Sequence, residues 1–104
     1  MTQHLIQILL PIHMRDKTPV PAEIFARVRA ELTERFGGVT AYSRSPATGL
    51  WKTPDDEVER DQVIMIEVVV DVFDPEWWAA YREQLERWFG QEEVHARALS
   101  MVRV

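Results

Sequence analysis

Two hydrophobic periods alternate along this chain. Residues 4 to 12, HLIQILLPI, are short, apolar and rich in branched side chains, and they predict a strand. Pro11 limits ladder pairing near its end. The polar stretch Met14 to Val20 reads as a loop. Pro21-Ala22-Glu23 then opens a helix, with Pro fitted to the first turn and Glu to the positive end of the dipole. Ile24, Val28 and Leu32 recur at every fourth position, with Phe25 and Phe36 beside them, which gives one apolar stripe. Gly37-Gly38 stops it.

Val39 to Ser45 alternates and predicts a second strand. Residues 46 to 57, PATGLWKTPDDE, carry Pro, Gly and Asp, and predict a loop or a long twisted hairpin. Val58 to Val72 holds VIMIEVVVDV, the strongest strand signal in the chain. Asp74-Pro75-Glu76 marks a second helix start, because Asp accepts from free N–H groups while Pro and Glu suit the first turn. Trp78, Tyr81, Leu85 and Trp88 or Phe89 form its stripe, and Gly90 ends it. Trp77 and Trp78 point about 100° apart, so one belongs to the core and the other stays partly exposed. Val94 to Val104 is a final strand.

The order β-α-β-β-α-β predicts an α+β fold: a ferredoxin-like sandwich spanning residues 1 to 104 as a single domain. Its four-stranded antiparallel sheet carries both helices on one face. Right-handed crossovers place strands one and three in the middle and strands two and four at the edges.

Period-two reading then assigns the faces. Ile64, Ile66, Val68 and Val70 form an unbroken apolar row, as do Ile6, Ile8 and Leu10, and both are expected under the helices. Leu5, Leu9, Val63, Met65 and Val69 then fall on the open face, with Gln7 and Glu67 set among them. An uncovered patch of that extent exceeds what monomers usually tolerate, so a homodimer through the open sheet face is expected.

Composition narrows the rest. The chain has 104 residues, 46% hydrophobic and 28% charged, which is ordinary globular composition. A formal charge of −5 makes nucleic acid a poor partner. Cysteine is absent, which removes disulfides, thiolate metal sites and a Cys nucleophile, and accords with a cytoplasmic setting. The apolar run Leu5 to Ile12 follows no basic segment, leads to no cleavage site and is far shorter than the roughly 20 residues of a membrane span, so neither export nor membrane insertion is expected.

The length, the strand order, the RFGGVT run (Arg35 to Thr40), the GLW tripeptide (Gly49 to Trp51) and the FGQEEV run (Phe89 to Val94) resemble small uncharacterised bacterial proteins of the ferredoxin-like, dimeric α/β-barrel superfamily. That resemblance implies dimerisation. The superfamily includes cofactor-independent monooxygenases, haem-degrading enzymes, lactone isomerases and proteins without known activity. None of their catalytic motifs can be laid on this sequence residue by residue, so function stays open.

The candidate catalytic residues are Glu67, Tyr42, Arg44 and His13. Glu67 lies in the most apolar strand, where partial desolvation suits a general base. The alternative is an ion pair with Arg44 or Arg97, or with an arginine across a dimer. Tyr42 and Arg44 share the open face with Glu67 and Gln7 if Val39 and Ala41 face the helices, and such a cluster could hold a small carboxylate or carbonyl ligand. The alternative there is a solvated edge strand. Trp51 is the Trp outside the second helix, suited to loop or dimer packing. His13 follows the first strand and could reach a pocket mouth. His4, His13 and His95 show no metal-binding spacing, and no Ser-His-Asp order or phosphate-binding glycine loop is present around Ser43, Ser45 or Ser100. No cofactor is expected. Three classes remain: a homodimer that binds a small molecule or partner, a cofactor-independent monooxygenase- or isomerase-like enzyme, and a haem- or metal-binding variant using His13 or His95.

Overall fold

A computed structural model describes residues 2–52 and 58–104, with the backbone alone described over 43–52 and 58–61. The elements follow the expected order: β1 (Thr2–Pro11), α1 (Ala22–Phe36), β2 (Thr40–Lys52), β3 (Val58–Val70), α2 (Pro75–Trp88) and β4 (His95–Val102). The sheet order is β2-β3-β1-β4 and every neighbouring pair is antiparallel, so the ferredoxin-like α+β arrangement holds.

Local chemistry accounts for the helix ends. Oδ1 of Asp74 accepts from the backbone N–H of Glu76 at 3.1 Å and of Trp77 at 3.2 Å, leaving Pro75 at the position that has no N–H to satisfy. At the far end of α1, Gly37 takes φ +85° and its N–H bonds the Thr33 carbonyl at 2.8 Å, a left-handed cap that a side chain would strain.

The core lies between the sheet and the helices. Ile6, Ile8 and Leu10 of β1 and Ile64, Ile66, Val68 and Val70 of β3 are buried, as period-two alternation requires. Val28 and Leu32 of α1 and Trp78, Tyr81 and Leu85 of α2 close over them, with Phe89 fully buried at the end of α2. Phe89 therefore takes the last place in the stripe and Trp88 stays half-buried. Trp78 is core and Trp77 half-buried, the division expected from their angular separation. Phe36 ties the helices together. It stacks on Trp78 at 5.2 Å and meets Trp77 edge-on at 5.3 Å.

Two expectations are corrected. Strand β2 does not stop at Ser45 but pairs with β3 as far as Lys52, so of the two readings of residues 46–57 the long hairpin is the one that holds. The register jumps from Tyr42↔Met65 to Ala47↔Val63, which sets residues 43 to 46 against Ile64 alone. Pro46 has no N–H for a ladder, and a bulge is where a sheet absorbs such a residue. The pairing then resumes, with Gly49 opposite Asp61 and Trp51 opposite Glu59. Val63, expected on the open face, is buried to 9% exposure beside the buried Pro11, just past this bulge. The tip at 53–57 lies outside the described residues.

Candidate functional site

The face of the sheet away from the helices is a grid fixed by strand register. One row runs Val69, Leu5, Leu99 across β3, β1 and β4. The next runs Thr40, Glu67, Gln7, Arg97 across all four strands. The third runs Tyr42, Met65, Leu9, His95. A polar row is thus bracketed by two mainly apolar ones.

The polar row is a continuous hydrogen-bonded chain. Nε of Arg97 donates to Oε1 of Gln7 at 2.7 Å. The Gln7 amide donates to Oε2 of Glu67 at 2.7 Å. The Tyr42 hydroxyl donates to Oε1 of Glu67, also at 2.7 Å. Because a guanidinium only donates and a carboxylate only accepts, Gln7 must turn its oxygen to Arg97 and its NH₂ to Glu67. Tyr42 reaches Glu67 diagonally, since its register partner is Met65, two residues earlier on the same face.

Exposure grades along this chain. Glu67 and Gln7 are half-buried at the centre, Tyr42 is 49% exposed at one side, and Arg97 is exposed at the other. The hydrogen bond to Glu67, then the carboxylate's charge, then partial desolvation hold the Tyr42 hydroxyl above the usual phenol range. Each Glu67 oxygen already receives one donor and keeps a lone pair for another. Such a carboxylate is well placed to receive a donor or a cation from above the sheet. As a general base it has less freedom, because both oxygens are held.

The structure brings together three of the expected residues, Tyr42, Glu67 and Gln7. Arg97, one of two arginines considered as an ion partner for Glu67, binds Gln7 instead, and the amide stands between the charges. The side chains of Arg44 and Trp51 lie outside the described residues. His13 is not part of the cluster. It forms a bridge with Pro19 beyond the end of β1, and its carbonyl accepts from Gln91 Nε2 at 3.4 Å. Six residues of extended chain separate it from Gln7, about 20 Å at ~3.3 Å per residue. His95 is exposed on the open face, paired in register with Leu9. The His4 ring packs on Phe73 at 5.6 Å. Among the described residues no group of three or more His, Asp or Glu is arranged to hold a metal ion. The sequence reading underrated Arg97; parity on β4, one step across from Gln7, was the signal that could have placed it.

A groove of about 540 Å³ lies elsewhere, between α1 and α2, lined by Glu31, Glu34, Arg35, Trp77, Tyr81 and Gln84. Its aromatic wall is already engaged. Trp77 carries the Arg35 guanidinium at 4.3 Å and stacks on Tyr81 at 5.0 Å.

No described protein family and no curated protein matches the sequence. Among solved structures, the fold is shared with a phage SAM lyase in complex with S-methyl-5′-thioadenosine, at 13% identity and a TM-score of 0.63, over 97% of this chain and 90% of that one. At that identity the likeness shows the fold alone. No helix among the described residues is long and apolar enough to cross a membrane.

Proposed function

We propose that the chain is a small homodimeric protein that binds a small polar molecule on its open sheet face, at the row formed by Tyr42, Glu67, Gln7 and Arg97. The observation that carries this reading is the placement of the row. A carboxylate, an amide, a phenol and a guanidinium stand hydrogen-bonded between two mainly apolar rows of a sheet face that no part of the described chain covers. A few convergent polar groups on an apolar floor are the usual makings of a recognition site. Val69 at 45% and Leu99 at 44% exposure supply apolar surface for a partner. Arg97 offers its remaining N–H groups to a carboxylate or carbonyl, and Glu67 offers its remaining lone pairs to a donor or cation.

A second reading takes its chemistry from the protein of shared fold and its support from Glu67: an enzyme that cleaves S-adenosylmethionine. The row supports it through Glu67, whose negative charge would attract a sulfonium centre, and Tyr42, whose hydroxyl would orient it.

Native mass spectrometry of the freshly purified protein tests the first reading. A dimer that retains an adduct, lost in Glu67→Ala or Arg97→Ala, supports it; a bare monomer sinks it. Incubation with S-adenosylmethionine tests the second. Release of S-methyl-5′-thioadenosine that is abolished in Glu67→Gln supports it, and no release above the uncatalysed background removes it.

A further inference from the structure

If two copies meet through their open faces with their strands aligned, the two-fold axis lies in the plane between the sheets and runs either across the strands or along them. An axis across the strands, through the polar row, sets Glu67 against Glu67 and Arg97 against Arg97. Like charges facing each other between sheets about 10 Å apart oppose association. An axis along the strands keeps each row over its own row. Placed above β1, it sets β3 of one copy over β4 of the other. Val69 then covers Leu99, Leu5 covers Leu5, and Glu67 faces Arg97.

We infer that the second copy docks by a two-fold axis running along β1 above Gln7, so that Arg97 of each copy lies over Glu67 of the other. This rests on the proposed dimer through the open face. Charge complementarity carries it. Among the described residues Arg97 is held through Nε alone, which leaves its terminal N–H groups to point across. Glu67 keeps a lone pair on each oxygen after accepting from Tyr42 and Gln7. Shifting the axis to the sheet centre, between β3 and β1, sets Glu67 over Gln7 and Arg97 over Thr40, which leaves both charges without an opposite partner among the described residues.

The sheet order gives this axis a consequence for the site. With β1 over β1 and β3 over β4, the edge strand β2 overhangs the partner sheet. Tyr42 then sits at an open rim with Glu67 beside it and Arg97 of the second copy behind. Each dimer carries two such composite sites, and neither is complete in one chain. A small molecule bearing a donor reaches Tyr42 and Glu67 from that rim, beside the Arg97–Glu67 pair between the copies.

Charge reversal tests the arrangement. Analytical ultracentrifugation is run on the wild type, Arg97→Glu, Glu67→Arg and the double reversal, with circular dichroism to confirm folding. The inference expects a wild-type dimer, a dissociation constant raised about tenfold or more in each single variant, and recovery in the double. As a second measurement, Gln7→Cys is treated with a short bifunctional maleimide. The chain has no other cysteine, so a covalent dimer reports Gln7 against Gln7 directly. A wild-type monomer overturns the dimer reading itself. A wild-type dimer that ignores both single reversals, or that cannot be joined at position 7, overturns the axis and leaves the dimer reading standing.

Discussion

Tyr42 and Glu67 are joined across the β2–β3 pair by a 2.7 Å hydrogen bond that runs diagonally between neighbours two residues out of register. The bond lies at the last β2 pair before the 43–46 bulge, so it closes the regular part of the edge strand.

A double-mutant cycle of Tyr42→Phe and Glu67→Gln measures that bond. Tyr42 is half exposed, so water competes for both partners, and a coupling of about 0.5–1 kcal/mol is expected from chemical denaturation. Zero coupling would mean the bond forms only transiently.

The chain's two tyrosines are both held protonated beyond the usual range, Tyr42 chiefly by its bond to Glu67 and Tyr81 chiefly by burial. A raised phenol contributes stability fully below its unfolded value and loses it as pH climbs toward the folded one. Absorbance at 295 nm should therefore rise later in the native protein than the ordinary tyrosine range, about pH 10, with Tyr81 ionising last. In denaturant both should titrate normally. A native transition at the ordinary range carrying half the amplitude would place Tyr42 free of Glu67.

Asp74→Ala removes both side-chain bonds at the start of α2 and should cost about 1 kcal/mol. Asp74→Ser keeps an acceptor and should restore most of it, which thermal melts of the two variants will show.

Leu85→Ala opens a cavity in a site with no exposure, for an expected loss of about 3 kcal/mol in urea denaturation. Phe36→Ala, at a half-buried position, should cost less, about 2 kcal/mol, because its loss falls on the aromatic stack between the helices.

Much of this was legible in the residues. The row Ile64, Ile66, Val68, Val70 announces a buried face by simple alternation, and the same parity puts Glu67 and Gln7 opposite the helices. Asp74-Pro75 states its own cap. The choice between a loop and a long hairpin over 46–57 was not legible, because Pro46 and Gly49 read as punctuation in any single chain. Their strand pairing depends on a partner, β3, that tolerates a bulge. Arg97's choice of Gln7 over Glu67 was legible only through strand order and register together. It turns on which acceptor lies one strand away, and Glu67 lies two away.

Gln7 also answers a question of pairing fidelity. The aliphatic run of β1 offers almost interchangeable side chains to the strands beside it. A slip by one residue is opposed by the helices, since it exposes the core face. A slip by two keeps every side chain on its own face and exchanges one aliphatic contact for another. What it breaks is the Gln7 row and, nearer the strand's start, the Gln3–Asp71 hydrogen bond, leaving an amide against Met65 or Val69 and a half-buried carboxylate with Tyr42 as its remaining donor. The polar row therefore works as an index mark, ensuring that a strand with little else to distinguish its positions assembles in one alignment.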